Sequence, residues 1–547
     1  MRITKTLLLL CLAALPALSA AQSSGGLDPA VLLKPLGDTW PTYSGDYTGR
    51  RFSSLTQINR NTVKNLTLAW VARVNGTAGS PQTILGGVGA GEYTNVTVKG
   101  FILYFDEKLY VTSADHVWAM DARDGRLLWH YFWRTRGGTH TGNRGVAMWH
   151  NYLFFETPDD YLVSLDSKTG KERWHIEIAD FEQQYFSTMA PVVVGDHLLV
   201  GTGNDLDAPG FLQSFDPETG KLQWKFYTVP MNPGDPGLGT WPNLDAARHG
   251  GGQVWIPGSY DPETRFYIFG TGNPTPAYTG VGRKGDNLFT CSLIAVNVDT
   301  GKMAWYFQTS PHDTHDWDST QTAVLFDGQV NGQPRKLVAQ AARNGHFFVL
   351  DRTNGTAIIS SEYVKTNWAS GYDEKGQPVP NPKKMPQIDG ALVSPNQGGG
   401  ANWPPPSFSP STGLFYTQAT RAFSVYYLYE NENDEKPQGW GGNDRGGWSE
   451  AMLRAIDYKT GKIKWSHPWD GSGSVRSGLL STAGNLLFAG DASANFVAFN
   501  ATTGETLWHS RLHASVTNAP ITYELDGVPY VVVGAGDSLY AFALTAR

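Results

Sequence analysis

The sequence predicts an all-β fold, an eight-bladed β-propeller with tryptophan-docking repeats, from an internal repeat and from the composition. The repeat reads Asp/Asn-x-x-(Thr/Asp)-Gly-x-x-x-Trp, and copies without an insertion begin about 40–50 residues apart. A unit of that length with four strands is typical of a propeller blade. The 547 residues include 62 Gly and 19 Trp but only 17% charged residues, which argues against a disordered chain.

Each copy of the repeat predicts a hairpin followed by a docking surface. An alternating apolar strand such as Tyr161–Leu165 precedes it, and the Asp and Gly form a tight turn in which Gly supplies positive φ. The Trp opens the next strand and offers a large flat surface. A seventh copy, Asp351–Gly355, lacks the Trp. The complete copies begin at Asp121, Asp166, Asp216, Asn297, Asp457 and Asn500.

Seven copies and a final strand pair near Tyr530–Leu544 predict eight blades, with seven as the alternative. We expect an early strand, Leu66–Val71, to close the last blade. Two loop-rich regions, residues 360–410 and 428–450, are interpreted as excursions on one face. The acidic run Glu430–Glu435 within the second is interpreted as solvated surface.

The N-terminus predicts a secretory signal. Basic residues precede an apolar run from Leu7 to Leu18, and small residues follow at Ser19–Ala21. The apolar run is shorter than the roughly 20 residues that a membrane span requires. We therefore expect a signal peptide over residues 1–21, export to the periplasm, and a single propeller domain over residues 22–547.

Charge and cysteine content exclude some functions. The net charge is −7 without a basic run, which argues against a nucleic-acid-binding surface. Once the signal is removed Cys291 stands alone, so an internal disulfide is excluded. The sequence has no Cys-x-x-Cys-His, which excludes an attached c-type haem domain.

One stretch, residues 309–321, concentrates ionisable side chains on a loop that follows a strand. Asp313, Asp316 and Asp318 lie there with His312 and His315. Charges crowded onto a loop are costly unless they bind something, and a solvated turn is the alternative. The histidines lack a third ligand at zinc spacing.

Other motifs lie in the loops between repeats, and each also has an ordinary reading as a turn or a core aromatic. They are Asn143-Arg144-Gly145, Gly201–Gly210, His249–Trp255, Gly270–Pro274 and Ala341–Gly345. Together with Trp40–Asp46, Leu55–Asn59 and the Trp repeat, these motifs resemble the quinoprotein alcohol dehydrogenases. Members of that family are eight-bladed propellers that use pyrroloquinoline quinone (PQQ) and a metal ion.

The resemblance implies a metal site and a catalytic base. Asn273 would be a ligand, and Asp316 would be both ligand and general base, taking the hydroxyl proton of the substrate. Counting back from Gly210 matches Asp205 to a Glu ligand of the family, with Asp207 as a competitor. The carboxylate beside a metal is expected to keep a low pKa.

Asp318 resembles the extra Asp of lanthanide-dependent methanol dehydrogenases. With Asp205 and Asp316 it gives three carboxylates, enough to balance a trivalent ion, and hard cations prefer oxygen ligands. A calcium site with Asp318 directed to solvent is the alternative.

The resemblance also implies contacts to PQQ. Trp255 would be the floor on which the planar cofactor lies. Arg144 would bind a PQQ carboxylate, and Arg343 would lie beside the quinone oxygens. Further contacts are implied at Glu92, Thr188 and Asn402.

Two departures mark a divergent member of the family. Gly138-Thr139 stands where many members carry adjacent cysteines joined as a disulfide, and Val475-Arg476 stands where the family has a Trp. The implied reaction is oxidation of an alcohol to an aldehyde or ketone by hydride transfer to PQQ. Electrons would pass to a separate acceptor such as a periplasmic cytochrome c. A non-catalytic propeller scaffold and a quinoprotein acting on sugars or polymers are the alternatives.

Overall fold

Strands dominate the computed structural model of this chain, which describes residues 26–74, 97–429, 440–471 and 475–544. The predicted signal peptide, the candidate cofactor residue Glu92 and the acidic run 430–435 lie outside the described residues.

The described residues up to position 308 contain eighteen strands. They are β1 (Phe52–Ser53), β2 (Leu66–Arg73), β3 (Leu103–Phe105), β4 (Lys108–Ser113), β5 (His116–Asp121), β6 (Leu127–Phe132), β7 (Ala147–Trp149), β8 (Tyr152–Glu156), β9 (Tyr161–Asp166), β10 (Glu172–Glu177), β11 (Val192–Val194), β12 (His197–Thr202), β13 (Phe211–Phe215), β14 (Leu222–Tyr227), β15 (Ser259–Asp261), β16 (Phe266–Gly270), β17 (Ser292–Asn297) and β18 (Met303–Gln308).

The second half contributes eighteen more described strands. They are β19 (Val324–Val330), β20 (Gln333–Ala341), β21 (His346–Asp351), β22 (Ala357–Glu362), β23 (Ala369–Tyr372), β24 (Pro378–Pro380), β25 (Ala391–Val393), β26 (Ser407–Ser409), β27 (Leu414–Leu428), β28 (Gly442–Asp457), β29 (Ile463–Pro468), β30 (Leu480–Thr482), β31 (Leu486–Gly490), β32 (Asn495–Asn500), β33 (Thr506–Arg511), β34 (Ile521–Leu525), β35 (Val528–Ala535) and β36 (Ser538–Leu544).

Helices in the described ranges are short. The α-helix is α1 (Leu244–Arg248), and 3-10 turns lie at Pro29–Leu33, Val63–Asn65, Phe181–Gln183, Leu238–Thr240, Val281–Arg283 and Pro382–Lys384. Within the described part of the chain, none of these helices has the length and apolar character that crossing a bilayer requires.

The described strands form eight blades, antiparallel throughout except where β1 pairs in parallel with β30, which confirms the eight-bladed prediction and makes the seven-bladed alternative wrong. Five of them are consecutive: β3–β6, β7–β10, β11–β14, β15–β18 and β19–β22. The sixth contains β25–β29, and the seventh adds β1 to β30–β33. The eighth sheet consists of β34–β36 completed by β2, and β23 and β24 form a separate pair.

The ring is closed by an early strand, as predicted. β2 pairs antiparallel with β36, with Leu66 opposite Leu544 and Arg73 opposite Ser538. The inner strands are covered by neighbouring blades, so β12 is buried along its whole length, whereas the outer strand β14 is half exposed.

The Trp repeat joins each blade to the next. A Cβ added to Gly301 would collide with the ring of Trp224, so Gly leaves the surface on which the indole of the preceding blade lies. The Trp224 indole also donates to the Val298 carbonyl at 2.8 Å. Gly461 follows the copy without Trp, and Ile359 and Ser361 face it instead.

Successive connections within a blade leave the sheet at opposite faces of the ring, because neighbouring strands are antiparallel. We call one the repeat face. It carries the turns at residues 121–125, 166–170, 216–220, 297–301, 351–355, 457–461 and 500–504. We call the other the site face. It carries the connections 133–146, 178–191, 203–210, 228–258, 271–291, 309–323, 342–345 and 394–406.

The predicted loop-rich excursions both reach the site face. The ring of His315 contacts the Lys384 carbonyl at 2.8 Å, and Tyr278 N–H donates to the Trp440 carbonyl at 2.9 Å. The long hairpin β27–β28 belongs to the sixth blade.

Candidate active site

The site face surrounds a cavity of about 430 Å³. Eight of the ten residues predicted from the sequence line it: Arg144, Thr188, Asp205, Trp255, Asp316, Asp318, Arg343 and Asn402. They come from loops of at least five blades, so the closed ring brings together residues that are far apart in sequence.

The loop that carries Asp316 is held by Asp313. The buried Asp313 carboxylate accepts from the backbone N–H of His315 at 3.3 Å and of Trp317 at 3.1 Å. The guanidinium of the buried Arg283 donates to the Asp313 carbonyl at 2.7 Å. Asp316 lies between these anchored residues in a left-handed conformation, with φ of 63°. Strained backbone of this kind is held only where surrounding contacts determine it.

Arg343 connects the two carboxylates of this loop. Its Nη2 donates to Asp316 Oδ2 at 3.2 Å, and its Nη1 donates to Asp318 Oδ2 at 3.0 Å. Gln397 Nε2 also donates to Asp316 Oδ2, at 2.6 Å. All three ionic side chains are nearly buried, which strengthens these contacts.

Burial raises the pKa of the Asp316 carboxyl well above its usual range, and the Arg343 guanidinium opposes that rise. Burial raises the pKa of Asp318 in the same direction, again against Arg343. The charge of Asp205 adds to both increases. The low pKa expected for Asp316 is therefore not provided by the chain alone and requires additional positive charge.

Asp205 faces the cavity, and Asp207 does not. Asp205 Oδ2 lies 2.6 Å from His140 Nε2, and its Oδ1 accepts from Gln253 Nε2 at 2.9 Å. The Asn204 side chain accepts from the backbone N–H of Asp207 at 3.0 Å, in a turn that leaves Asp207 exposed. The geometry favours Asp205 over its competitor.

Asn273 is not a lining residue of the cavity, but it adjoins the lining residue Asp318. Its backbone N–H donates to Asp318 Oδ1 at 2.7 Å, and its side-chain Nδ2 donates to the Pro274 carbonyl at 2.9 Å. Asp318 is thus a buried hub rather than a carboxylate directed to solvent.

Trp255 is held at the cavity by the same hub. Its Nε1 donates to Asp318 Oδ2 at 3.0 Å. The Arg144 guanidinium lies 4.6 Å from the centre of the Trp255 ring, and it donates to Thr188 Oγ1 at 2.6 Å. An aromatic platform beside a guanidinium suits a planar anion.

Some predicted residues have local roles. Asn402 donates from Nδ2 to the Gly398 carbonyl at 2.9 Å and accepts from Trp403 N–H at 2.8 Å, so its amide groups are engaged in its own turn although the residue lines the cavity. His312 contacts the Gly285 carbonyl at 2.6 Å. The ring of His315 likewise contacts a carbonyl, that of Lys384, so the contacts of the two histidines do not indicate a zinc site.

The two departures have consequences in the cavity wall. Gly138 and Thr139 are not among the lining residues, whereas His140 is, and its ring contacts Phe186 edge-on at 4.7 Å between centroids. Val475 and Arg476 also line the cavity.

Sequence reasoning missed His140, Gln253 and Gln397. Gln397 precedes three glycines within the loop-rich region 360–410, and the sequence carries no signal for its contact with Asp316. The other two have partners 65 and 48 residues away.

The residues present fit PQQ and a hard cation. Arg144 and Trp255 suit the planar, acidic cofactor, and the cavity volume lies in the range of small-molecule sites. Within the described ranges, His, Cys, Asp and Glu side chains do not by themselves converge into a complete metal site. Asp316 and Asp318 nevertheless share the Arg343 guanidinium, and Asp205 adds a third carboxylate at the cavity. A hard cation would balance the remaining negative charge of this cluster if amide or cofactor oxygens completed its shell.

The fold and the cavity together define a cofactor-binding propeller enzyme. A family model described as PQQ glucose/ethanol/alcohol dehydrogenase, beta-propeller domain, matches residues 40–388 and 445–531. The quinohemoprotein alcohol dehydrogenase ADH IIB of Pseudomonas putida is 35% identical over 97% of this chain and 78% of its own length.

Two further similarities concern a relative and a solved structure. The 1-butanol dehydrogenase (cytochrome c) of Thauera butanivorans is 32% identical over 91% of this chain and 74% of its own length. A europium-containing methanol dehydrogenase superposes with a TM-score of 0.81 at 28% identity, covering 94% of this chain and 99% of that one. The chain belongs to the PQQ-dependent, or quinoprotein, alcohol dehydrogenases. The scaffold alternative is therefore wrong.

Proposed function

We propose that this quinoprotein alcohol dehydrogenase is exported to the periplasm and oxidises an alcohol with Asp316 as general base and a bound metal ion as Lewis acid. The arrangement of Asp316 carries the proposal. Its Oδ2 is held by Arg343 and Gln397, and its Oδ1 has no hydrogen-bond donor among the described residues. A carboxylate oxygen at a cavity, held by its partner oxygen, suits a base that receives a hydroxyl proton.

The chemistry that PQQ supplies when bound is acceptance of hydride from the carbinol carbon. Trp255 would support the ring plane, and Arg144 would bind a carboxylate of the cofactor. Arg343 would hold Asp316 and present positive charge beside the reacting oxygens. The burial of Asp316 would restrict its contact with water.

A hard cation would be held by Asp205, Asn273, Asp316 and Asp318, and its chemistry would be Lewis-acid polarisation. It would also lower the pKa of Asp316, which burial raises, so that the base is ionised at neutral pH. A lanthanide is favoured because Asp318 lies inside the charged cluster, and because a europium-containing enzyme superposes on the chain. Calcium is the alternative.

The electron acceptor is proposed to be a separate periplasmic cytochrome c. The sequence carries no haem-attachment motif, and a relative is named 1-butanol dehydrogenase (cytochrome c). Export is supported by the apolar run at residues 7–18. A sugar or polymer substrate is a second candidate, because the cavity wall departs from the family pattern at Val475-Arg476, and because the lining residue His140 directly follows the departure at Gly138-Thr139.

The test is dye-linked alcohol oxidation by purified apo-protein given PQQ with either calcium or lanthanum, against panels of alcohols and sugars. Activity with lanthanum only is the expected result. Activity with calcium only would be consistent with the proposed alcohol dehydrogenase activity but would overturn the lanthanide assignment. No activity together with no PQQ retained would overturn the proposal.

Replacing Asp318 by Ala tests the choice of ion. We expect loss of lanthanum-supported activity and survival of calcium-supported activity, because the trivalent ion needs the third carboxylate. Asp318 also anchors Trp255, so PQQ retained after gel filtration is measured in parallel. Equal loss with both ions and normal PQQ retention would contradict the assignment.

A further inference from the structure

The side-chain carbonyl of Gln253 is an unexplained feature of the cavity region. Gln253 is 1% exposed, and its Oε1 has no hydrogen-bond partner among the described residues. A buried acceptor left unsatisfied costs about 1–3 kcal/mol. Such an atom in a native site calls for a partner that the protein chain does not provide.

The orientation of this amide is determined by its other end. Gln253 Nε2 donates to the Asn204 carbonyl at 3.1 Å and to Asp205 Oδ1 at 2.9 Å. Turning the amide over would place its oxygen against two acceptors and leave both without a donor. The carbonyl must therefore point away from Asp205.

The carbonyl points towards Gly272 and the carboxylate of Asp318. A Cβ added to Gly272 would collide with Gln253 Oε1 and would stand 3.0 Å from Asp318 Oδ1. Gly272 N–H is already used by the Gln253 backbone carbonyl at 2.8 Å. Both oxygen acceptors thus lie beside Gly272, where the absence of a Cβ leaves room for the Gln253 carbonyl.

We propose that the side-chain carbonyl of Gln253 is a further ligand of the hard cation in this cavity. The proposal rests on the proposed metal-assisted function and extends its ligand set. Hard cations of this kind take six to eight oxygen ligands, amide carbonyls included. One side chain would then do two things: its N–H holds the ligand Asp205, and its carbonyl binds the ion.

This assignment also suits the presence of Asp205, rather than the family's longer Glu, at this ligand position. Gln253 links the loop at residues 203–210 to the loop at residues 271–291, and both contribute predicted ligands. A ligand with one methylene fewer than Glu leaves more of the shell to its neighbours. The alternative partner of the Gln253 carbonyl is an ordered water molecule.

The experiment measures the affinity and hydration of the bound ion rather than enzymatic turnover. Wild-type protein and the variant Gln253→Met are loaded with PQQ and titrated with Tb³⁺. The half-saturating Tb³⁺ concentration is read from metal luminescence, and the number of water molecules on the ion is read from lifetimes in H₂O and D₂O. The matched control is Gln213→Met. Gln213 is also a buried glutamine with an unpartnered carbonyl, but it lies in strand β13 and, among the described residues, has no hydrogen bond to Asp205.

In Gln253→Met we expect Tb³⁺ binding about 10- to 100-fold weaker, and one additional water on the ion. Gln213→Met should match wild type in both. Unchanged affinity and hydration in Gln253→Met would overturn the proposal and assign the carbonyl to a water molecule. Wild-type protein that retains PQQ but binds no Tb³⁺ would instead defeat the proposed metal function.

A second variant, Gln253→Glu, keeps the proposal testable if Gln253→Met does not fold. Gln253→Glu retains a ligand oxygen, so the hydration of the bound ion should equal that of wild type. An extra water on the ion in Gln253→Glu would count against Gln253 as a ligand. Near-ultraviolet circular dichroism establishes which variants have native packing.

Discussion

The repeat face and the site face of the ring solve opposite problems. On the repeat face polar groups have local partners: Asp166 Oδ1 accepts from Thr169 N–H at 2.8 Å, and Gly220 receives the ring of Trp174. On the site face carboxylates are buried and have partners from distant loops, as Asp160 has in Ser187 and Asp316 has in Arg343. One face is stabilised by local contacts, whereas the other holds buried charged groups that only the assembled ring can support.

The largest effect is expected from replacing Asp316, the proposed general base on the site face. Asp316→Asn keeps the volume of the side chain but cannot take a proton, so turnover should fall by about 10²- to 10⁴-fold. PQQ absorbance and the thermal midpoint should remain close to those of wild type. Turnover within a few-fold of wild type in steady-state assays would rule out Asp316 as the base.

The next largest effect is expected from removing a docking Trp, which supports the repeat face. Trp305 is 7% exposed, covers Gly355 and donates to the Arg352 carbonyl at 3.0 Å. Trp305→Ala should lower the free energy of unfolding by about 3–5 kcal/mol, as measured by urea denaturation. The control is Trp448→Ala on the long hairpin, where the indole is 55% exposed and a small change is expected. A similar loss in both variants would mean that the docking position has no special role.

A smaller effect separates strain from chemistry on the site face. Burial raises the pKa of Asp160 to about 7, while a bond from Ser187 partly opposes it. Since this pKa is higher in the folded than in the unfolded state, the folded state binds the proton more tightly, and stability falls as pH rises from about 4 to about 7. Asp160→Asn has no ionisable carboxyl at this position and therefore removes the loss of stability with rising pH.

Asp160→Asn should therefore be more stable than wild type at pH 8 by on the order of 1–3 kcal/mol, with a difference that shrinks towards pH 4. Urea denaturation at a series of pH values measures it. A stability difference independent of pH would show that ionisation of Asp160 is not its source.

The smallest effect concerns one turn of the repeat face. Asp166 Oδ1 accepts from the N–H of Lys168 and of Thr169 and from the Thr169 hydroxyl, all on the surface. Asp166→Ala should cost about 1 kcal/mol in thermal or chemical denaturation. Lys168→Ala serves as control because it removes a side chain but keeps the turn. Equal costs would place the stabilisation outside the Asp side chain.

The same contrast decides what the sequence could predict. Eight blades and the closing strand followed from repeats because an Asp, a Gly and a Trp carry their structural roles within nine residues. Most of the cavity lining was identified through resemblance to the family. The contacts of His140, Gln253 and Gln397 could not be predicted, because each depends on partners between 48 and 81 residues away. The choice between Asp205 and Asp207 depended on the turn made by Asn204.

The pairing of β2 with β36 has a consequence for the order in which the molecule forms. Thr67 Oγ1 contacts the Ala543 carbonyl, 476 residues away. Entropy of closure grows only logarithmically with length, so this contact costs little more than a much shorter one, but contacts between distant residues slow folding. During synthesis seven sheets can assemble from residues already made, whereas β2 waits for the final strand. Until then it presents an unpaired edge, so chains cut short before residue 538 should associate with one another rather than remain as open rings.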